Sequence, residues 1–219
     1  YDEELAAASR VAKSRGVPLS AHCHSADSIK AAVRHGFRVL YHCTWADEEA
    51  LDLLESHRHE LFVAPSPGIN WANCHEGEAY GITREAAVEQ EQFETLERVS
   101  QVMPLLRKRG VRVLPGGDYG FPWNPIGKNA RDLELFVKLF GLSPAETLMA
   151  ATKEGGELMD MKLGLIKDGY LADLLLVDGN PLGDIRILQD RERLLMIMQD
   201  GRLHKAPPPV QQRVRRLAA

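Results

Sequence analysis

Three side chains stand where chemistry could happen. His22 and His42 each come at or just beyond the C-terminal end of a short apolar segment, and Asp118 does the same after Val111–Leu114. As ends of parallel strands in one sheet, these segments bring all three residues to a single rim, where parallel α/β architectures keep their ligand sites. Two imidazoles and a carboxylate converging there form an N/N/O donor set suited to Zn²⁺ or a similar divalent metal. Each residue also has a plainer role open to it. His24 competes with His22, because the run Ala21-His22-Cys23-His24 alternates faces and only one of its two imidazoles is expected to point inward. Asp118 follows Gly116-Gly117 and could be a turn former whose carboxylate bonds nearby amides.

Other reactive side chains carry weaker signals. Cys74-His75 falls in a stretch without periodicity, where a metal or nucleophilic role competes with a plain loop. His35, His57 and His59 fall at predicted helix C-termini, where a cationic side chain suits the helix dipole. Trp71, Tyr80, Tyr119 and Trp123 lie in loop-like stretches, either as walls of an apolar or aromatic pocket or as packing anchors. No Walker A loop, GxGxxG or GxSxG occurs, so phosphate-cradling and serine-hydrolase chemistry lose support.

Composition narrows the partners. The 219 residues carry 27 basic and 31 acidic side chains, a net charge of −4, which leaves no electrostatic footprint for a polyanion. The one dense basic stretch, Arg213 to Arg216, sits in a Pro-rich tail. Apolar runs such as Leu171–Val177 fall far short of the ~20 residues that span a bilayer. Neither nucleic acid nor membrane is an expected partner. Three cysteines, Cys23, Cys43 and Cys74, match no ligand or disulfide spacing, so a reducing, cytoplasmic setting is expected. The opening Tyr1-Asp2-Glu3-Glu4 has neither initiator Met nor leader, and a segment upstream is expected.

The elements that must position the rim residues follow from periodicity. Helices are predicted up to Arg15, from Asp27 to His35 and from Asp47 to His57, with Gly16 and Gly36 as stops. Strands are predicted at Val17–Ala21, Phe37–Tyr41, Leu61–Ala64 and Val111–Leu114. The stretch Ile69 to Ile82 reads as a long irregular loop. Thr83 can cap a long helix to Arg109, bent near Pro104, and a last helix starts at Ser143-Pro144-Ala145-Glu146. Short strands, apolar on both faces and separated by helices, belong to a parallel sheet. Four of them are half of an eight-stranded barrel, although an open doubly wound sheet meets the same count. After Met161 the character changes to a small antiparallel β unit with Asp200-Gly201 as its hairpin turn. The expected division is residues 1–160, 161–206 and a tail at 207–219.

The residues quoted so far resemble a known family. The order Val17 to Ser25 with His22, then Phe37 to His42, then Gly110 to Asp118 resembles the second half of the metal-dependent amidohydrolase superfamily, nearest its imidazolonepropionase-like and prolidase-like branch. The similarity continues through Leu142 to Glu146 and Ala150 to Thr152. It ends in the pattern Gly164-x4-Gly169-x-x-Ala172-Asp173-Leu174, the turn Asp178 to Pro181 and the hairpin Gln199 to Arg202.

This resemblance implies strands five to eight of a (β/α)₈ TIM-type barrel, followed by a portion of a β-sandwich. It implies one or two divalent metals, most readily zinc, with His22 and His42 on the more exposed metal. Asp118 would bind the other and serve as general base toward the attacking water. The family's first-strand His-x-His pair and fourth-strand Lys have no counterpart in this chain, and Tyr41 stands where an acidic residue commonly precedes the sixth-strand His. The expected function is therefore hydrolysis of an amide or other C–N bond in a small-molecule substrate, in a homo-oligomer, with the N-terminal half of the barrel as partner. The alternative is a catalytically silent, structural subunit, because a half barrel alone exposes strand edges and needs covering.

Overall fold

The computed structural model describes residues 2–207, so the predicted tail lies outside the described residues beyond Pro207. The chain divides into two compact units, Tyr1–Ser143 and Pro144–Ala219, a boundary ahead of the one expected at residue 160.

The first unit is built on a four-stranded parallel sheet in the order β1 (Ser20–Ser25), β2 (Val39–Trp45), β3 (Phe62–Ala64) and β4 (Arg112–Val113). Helices α1 (Asp2–Arg15), α2 (Ala26–Arg34) and α3 (Glu48–Ser56) alternate with the first three strands. Side-chain caps start two of them: Ser25 Oγ accepts from Ser28 N and Asp47 from Ala50 N, satisfying amides that the first turn leaves open. Ile29, Ala32 and Val33 of α2 and Ala50, Leu51 and Leu54 of α3 pack with Cys23, Leu40, Cys43, Val63 and Val113 of the strands into one core. Each leucine-sized side chain so buried contributes roughly 1.5–3 kcal/mol, which holds the strand ends in place.

The first strand departs from expectation. Its paired residues start at Ser20 rather than Val17, and only Cys23 is buried. The cause is its position: β1 is the edge of the sheet, and the face opposite Cys23 carries His22 and His24 instead of apolar groups.

The predicted loop at 69–82 is largely helical. Helix α4 (Pro67–His75) has Pro67 at its first turn and buries Pro67, Gly68, Ile69, Asn70, Ala72 and Cys74. A helix buried nearly all round leaves no amphipathic stripe, so periodicity could not reveal it. The helix expected from Thr83 to Arg109 is two: α5 (Arg84–Glu89), capped by Thr83, and α6 (Gln92–Lys108). The break falls at Glu91, which is left-handed at φ 56°, while Pro104 sits inside α6. Helix α7 (Arg131–Phe140) was not predicted; it buries Leu135, Phe136 and Phe140 and ends on Gly141 at φ 70°.

In the second unit α8 (Pro144–Met149) runs through a π turn at Ala150–Glu154 into α9 (Gly155–Leu158). An antiparallel sheet follows, ordered β5 (Leu174–Val177), β6 (Leu194–Gln199) and β7 (Arg202–Lys205). Asp200 and Gly201 take the positive φ values of 47° and 75° that the tight hairpin needs. The amide of Asp200 donates to Asp173 Oδ1 at 2.7 Å, which gives the Ala-Asp-Leu pattern its acid. Gly164 has no room for a side chain, since a Cβ would lie 2.1 Å from the Thr152 carbonyl oxygen.

Candidate metal centre

The strands run past both histidines, so His22 lies inside β1 and His42 inside β2 rather than at their ends, while Asp118 follows β4; His42 lies close to both of the others. His42 Nε2 lies 3.1 Å from His22 Nδ1 and 3.5 Å from Asp118 Oδ2. The ring of His42 is almost wholly buried, with 3% exposure, whereas the Asp118 side chain is 38% exposed and open to a reactant.

His24 joins them. One nitrogen from each of His22, His24 and His42 falls within 4.8 Å of the others, and the His24 and His42 rings stack with centroids 4.2 Å apart. The expectation that only one imidazole of the His-Cys-His run points inward is corrected here. Residues two apart on a strand share a face, so His22 and His24 project together and Cys23 goes to the core.

Burial favours the neutral form of His42 and of His24. Desolvation, reinforced by the neighbouring His24 and His22 rings, pushes the pKa of His42 down to about 3. The Pro65 carbonyl opposes this weakly, yet His42 Nδ1 is buried without closing a hydrogen bond. His24 is also lowered, by desolvation first and His22 second, with Asp118 pulling the other way. Neutral imidazoles carry the lone pairs that a cation needs, so the donor set fits a divalent metal.

The backbone under these residues is unusual. His42 (φ 71°) and Cys43 (φ 51°), inside β2, and Ser66 (φ 54°) and Asp118 (φ 51°), in the segments after β3 and β4, are all left-handed. Such conformations cost of order 1–3 kcal/mol each and persist where surrounding contacts impose them. For Asp118 the contacts are explicit. Asn124 Nδ2 donates to the Asp118 carbonyl at 2.7 Å, and Asn124, fully buried, accepts from Arg131 Nη2. Arg131 is held in turn by Glu76 at 2.6 Å and by the Gly68 carbonyl at 3.0 Å.

Asp132 fixes the other side of the loop. Its Oδ2 accepts from Gly116 N at 3.0 Å and its Oδ1 from the Tyr119 hydroxyl at 2.7 Å. Its burial raises the carboxyl pKa to about 6 against the pull of those two donors. Gly68 leaves just enough space, since a Cβ there would sit 2.5 Å from Tyr119 Oη and 2.7 Å from Asp132 Oδ1. Ser66 Oγ donates to the Gly116 carbonyl at 3.3 Å, and Gly117 (φ 105°) has no room for a side chain beside it. Asn124, Arg131, Asp132 and Ser66 have no motif of their own. The signal that could have found Arg131 and Asp132 was the apolar stripe of α7, which begins with two charged residues.

The remaining candidates do other work. Cys74 is buried, which raises its thiol to about 11, and His75 packs against Trp71 at 4.3 Å, so the pair is not an activated nucleophile. His35 and His57 are the C-caps of α2 and α3. Trp71 lies under Lys138 Nζ at 3.9 Å, Trp123 Nε1 donates to Asn73 Oδ1 at 2.8 Å, and Tyr80 packs on Trp123 at 6.2 Å. All three cysteines are free thiols. No helix among the described residues is long and apolar enough to cross a membrane.

The model of the amidohydrolase family matches residues 1–204, so the chain belongs to that family. Ochratoxinase from Aspergillus niger is 28% identical over 192 residues, covering 86% of this chain and 38% of its own length. A solved amidohydrolase superposes with a TM-score of 0.83 at 29% identity, over 95% of this chain and 49% of its own. A Xaa-Pro dipeptidase with methionine in its active site gives 0.82 at 26% identity, over 94% and 49%. The chain therefore spans about half of these solved structures or less of its curated relative.

Proposed function

We propose that this chain is strands five to eight of an amidohydrolase barrel with a portion of the β-sandwich, and that it hydrolyses an amide or other C–N bond of a small molecule using a divalent metal. The observation that carries the reading is the position of His42 Nε2, within 3.5 Å of both His22 Nδ1 and Asp118 Oδ2. His22, His42 and Asp118 would hold the metal, zinc or a similar ion, one or two in number. A metal bound there supplies an acidified water and polarises the scissile carbonyl.

The protein's own contribution is positional. Asp118, its side chain partly exposed and its backbone fixed through the carbonyl by Asn124, accepts the proton of the attacking water and returns it to the leaving nitrogen. The buried faces of His42 and Thr44 exclude water from the back of the site. The reading includes the N-terminal half of the barrel as partner, supplying the remaining strands, with the assembly a homo-oligomer. The three free thiols suit a reducing cytoplasm.

The test is an assay of the chain assembled with a polypeptide covering the first four barrel strands, against N-acyl amino acids and Xaa-Pro dipeptides. Turnover that is lost on chelation and on Asp118→Asn, with metal retained in the variant, is the expected result. An assembled complex that hydrolyses none of these amides overturns the assignment. Metal-free assembly with full stability would instead favour the structural-subunit alternative.

A further inference from the structure

We propose that His24 is a third metal-ligating imidazole, so that this chain holds one divalent cation by itself, through His22, His24 and His42, without residues from another polypeptide. The inference rests on the reading of this rim as a metal centre and is independent of the amide chemistry.

Three observations carry it. First, the spacing is right. A tetrahedral ion with bonds to nitrogen of about 2.0–2.1 Å separates its ligand nitrogens by about 3.4 Å. The three imidazoles already offer one nitrogen each within 4.8 Å of one another, with one pair at 3.1 Å; the His24 and His42 rings, now 8° from parallel, turn out of their stack to share an ion.

Second, the His24 ring is oriented from behind. Thr44 is fully buried and its Oγ1 lies 3.1 Å from His24 Nδ1. Donation of that N–H to the hydroxyl puts the lone pair on Nε2, the arrangement by which a second group fixes the tautomer of a metal-bound histidine. His24 therefore has the support that a ligand needs, and Thr44 belongs to the same strand as His42.

Third, the cluster has the wrong electrostatics to be an end in itself. His42 Nε2 lies 3.1 Å from His22 Nδ1 and 3.5 Å from Asp118 Oδ2, and the His24 ring stacks on the His42 ring at 4.2 Å. Three imidazoles gathered beside a carboxylate present lone pairs and negative charge to one point, which His42 faces with Nε2. A cation at that point satisfies the group as a whole. Asp118 Oδ2, 3.5 Å from His42 Nε2, is available as a fourth oxygen donor.

The experiment is calorimetric titration of the 219-residue chain with Zn²⁺, repeated with Co²⁺ to follow the visible absorption of the bound ion. Wild type is expected to bind one ion per chain. Removing a second-sphere partner typically lowers metal affinity 10–100-fold, so loss of a direct ligand in His24→Ala should lower it at least about a hundredfold. His24→Gln serves as the conservative companion, and circular dichroism melts establish that both variants are folded. His42→Ala should weaken binding comparably.

If the His24 variants bind as tightly as wild type while His42→Ala does not, the third-ligand assignment is overturned and the metal-centre reading stands. If wild type binds no ion alone, the self-contained site is overturned. The same titration on the assembly with the N-terminal half then decides the reading itself: binding there preserves it, and none there removes it.

Discussion

Asp132→Asn should change how the stability of the first unit depends on pH, by an amount that follows from one buried carboxyl. Asp132 is fully buried, and its pKa is raised from 3.8 to about 6 in the folded protein. The direction fixes the sign. A carboxyl that holds its proton more tightly when folded contributes stability that is fully present below pH 3.8 and is lost as pH rises through 6. The difference of about 2.2 pKa units at 1.36 kcal/mol per unit gives a loss of about 3 kcal/mol on going from pH 3.5 to 7.5. Asparagine has no proton to lose, so the variant lacks this slope. Trp45, Trp71 and Trp123 all lie in the first unit, so urea unfolding followed by tryptophan fluorescence reports on it. Midpoints measured at intervals from pH 4 to 8 should show wild type losing up to about 3 kcal/mol relative to Asp132→Asn. Parallel curves would refute the reasoning and remove Asp132 as a buried anion under the Asp118 loop.

Other outcomes test separate parts of the account. Gly68→Ala drives a methyl to 2.5 Å from Tyr119 Oη, and overpacking of that kind should destabilise by about 1–3 kcal/mol; an unchanged urea midpoint would show that the loop yields freely. Asn124→Ala removes the donor to the Asp118 carbonyl and one of the two acceptors of the buried Arg131 Nη2, leaving it the Gly68 carbonyl, for a loss of about 1–3 kcal/mol in the same assay, together with a fall in kcat in the proposed assembly. Metal should stabilise: free Zn²⁺ at about a hundred times its dissociation constant adds about 2.7 kcal/mol, so chelation should lower the melting temperature, and an identical melt with and without chelator would count against a folded-state site.

Much of this was legible in the residues, and the exceptions have physical causes. The apolar stripes of α2 and α3 and the stops at Gly16 and Gly36 gave those elements nearly to the residue, because a half-buried helix must show its period. The alternation of strands and helices is what brings His22, His42 and Asp118 near one another, since each lies in or follows a strand of the one parallel sheet. Helix α4 was hidden by its own burial, since Gly68, Asn70 and Cys74 are as inaccessible as Ile69. Strand β1 was shifted because the prediction followed apolar residues, whereas the edge strand is built from Ser20, His22, His24 and Ser25. The network behind Asp118 could not be read at all. Asn124, Arg131 and Asp132 act through contacts with Asp118, Glu76 and Gly116 that are up to 55 residues away in sequence, and no local pattern encodes such pairings.

The most direct measurement is anomalous diffraction at the zinc edge from crystals of the chain grown with Zn²⁺. The account predicts one strong peak at bonding distance from nitrogens of His22, His24 and His42, on the side facing Asp118 Oδ2. A peak held elsewhere, or an empty rim with the His24 and His42 rings still stacked, would contradict it.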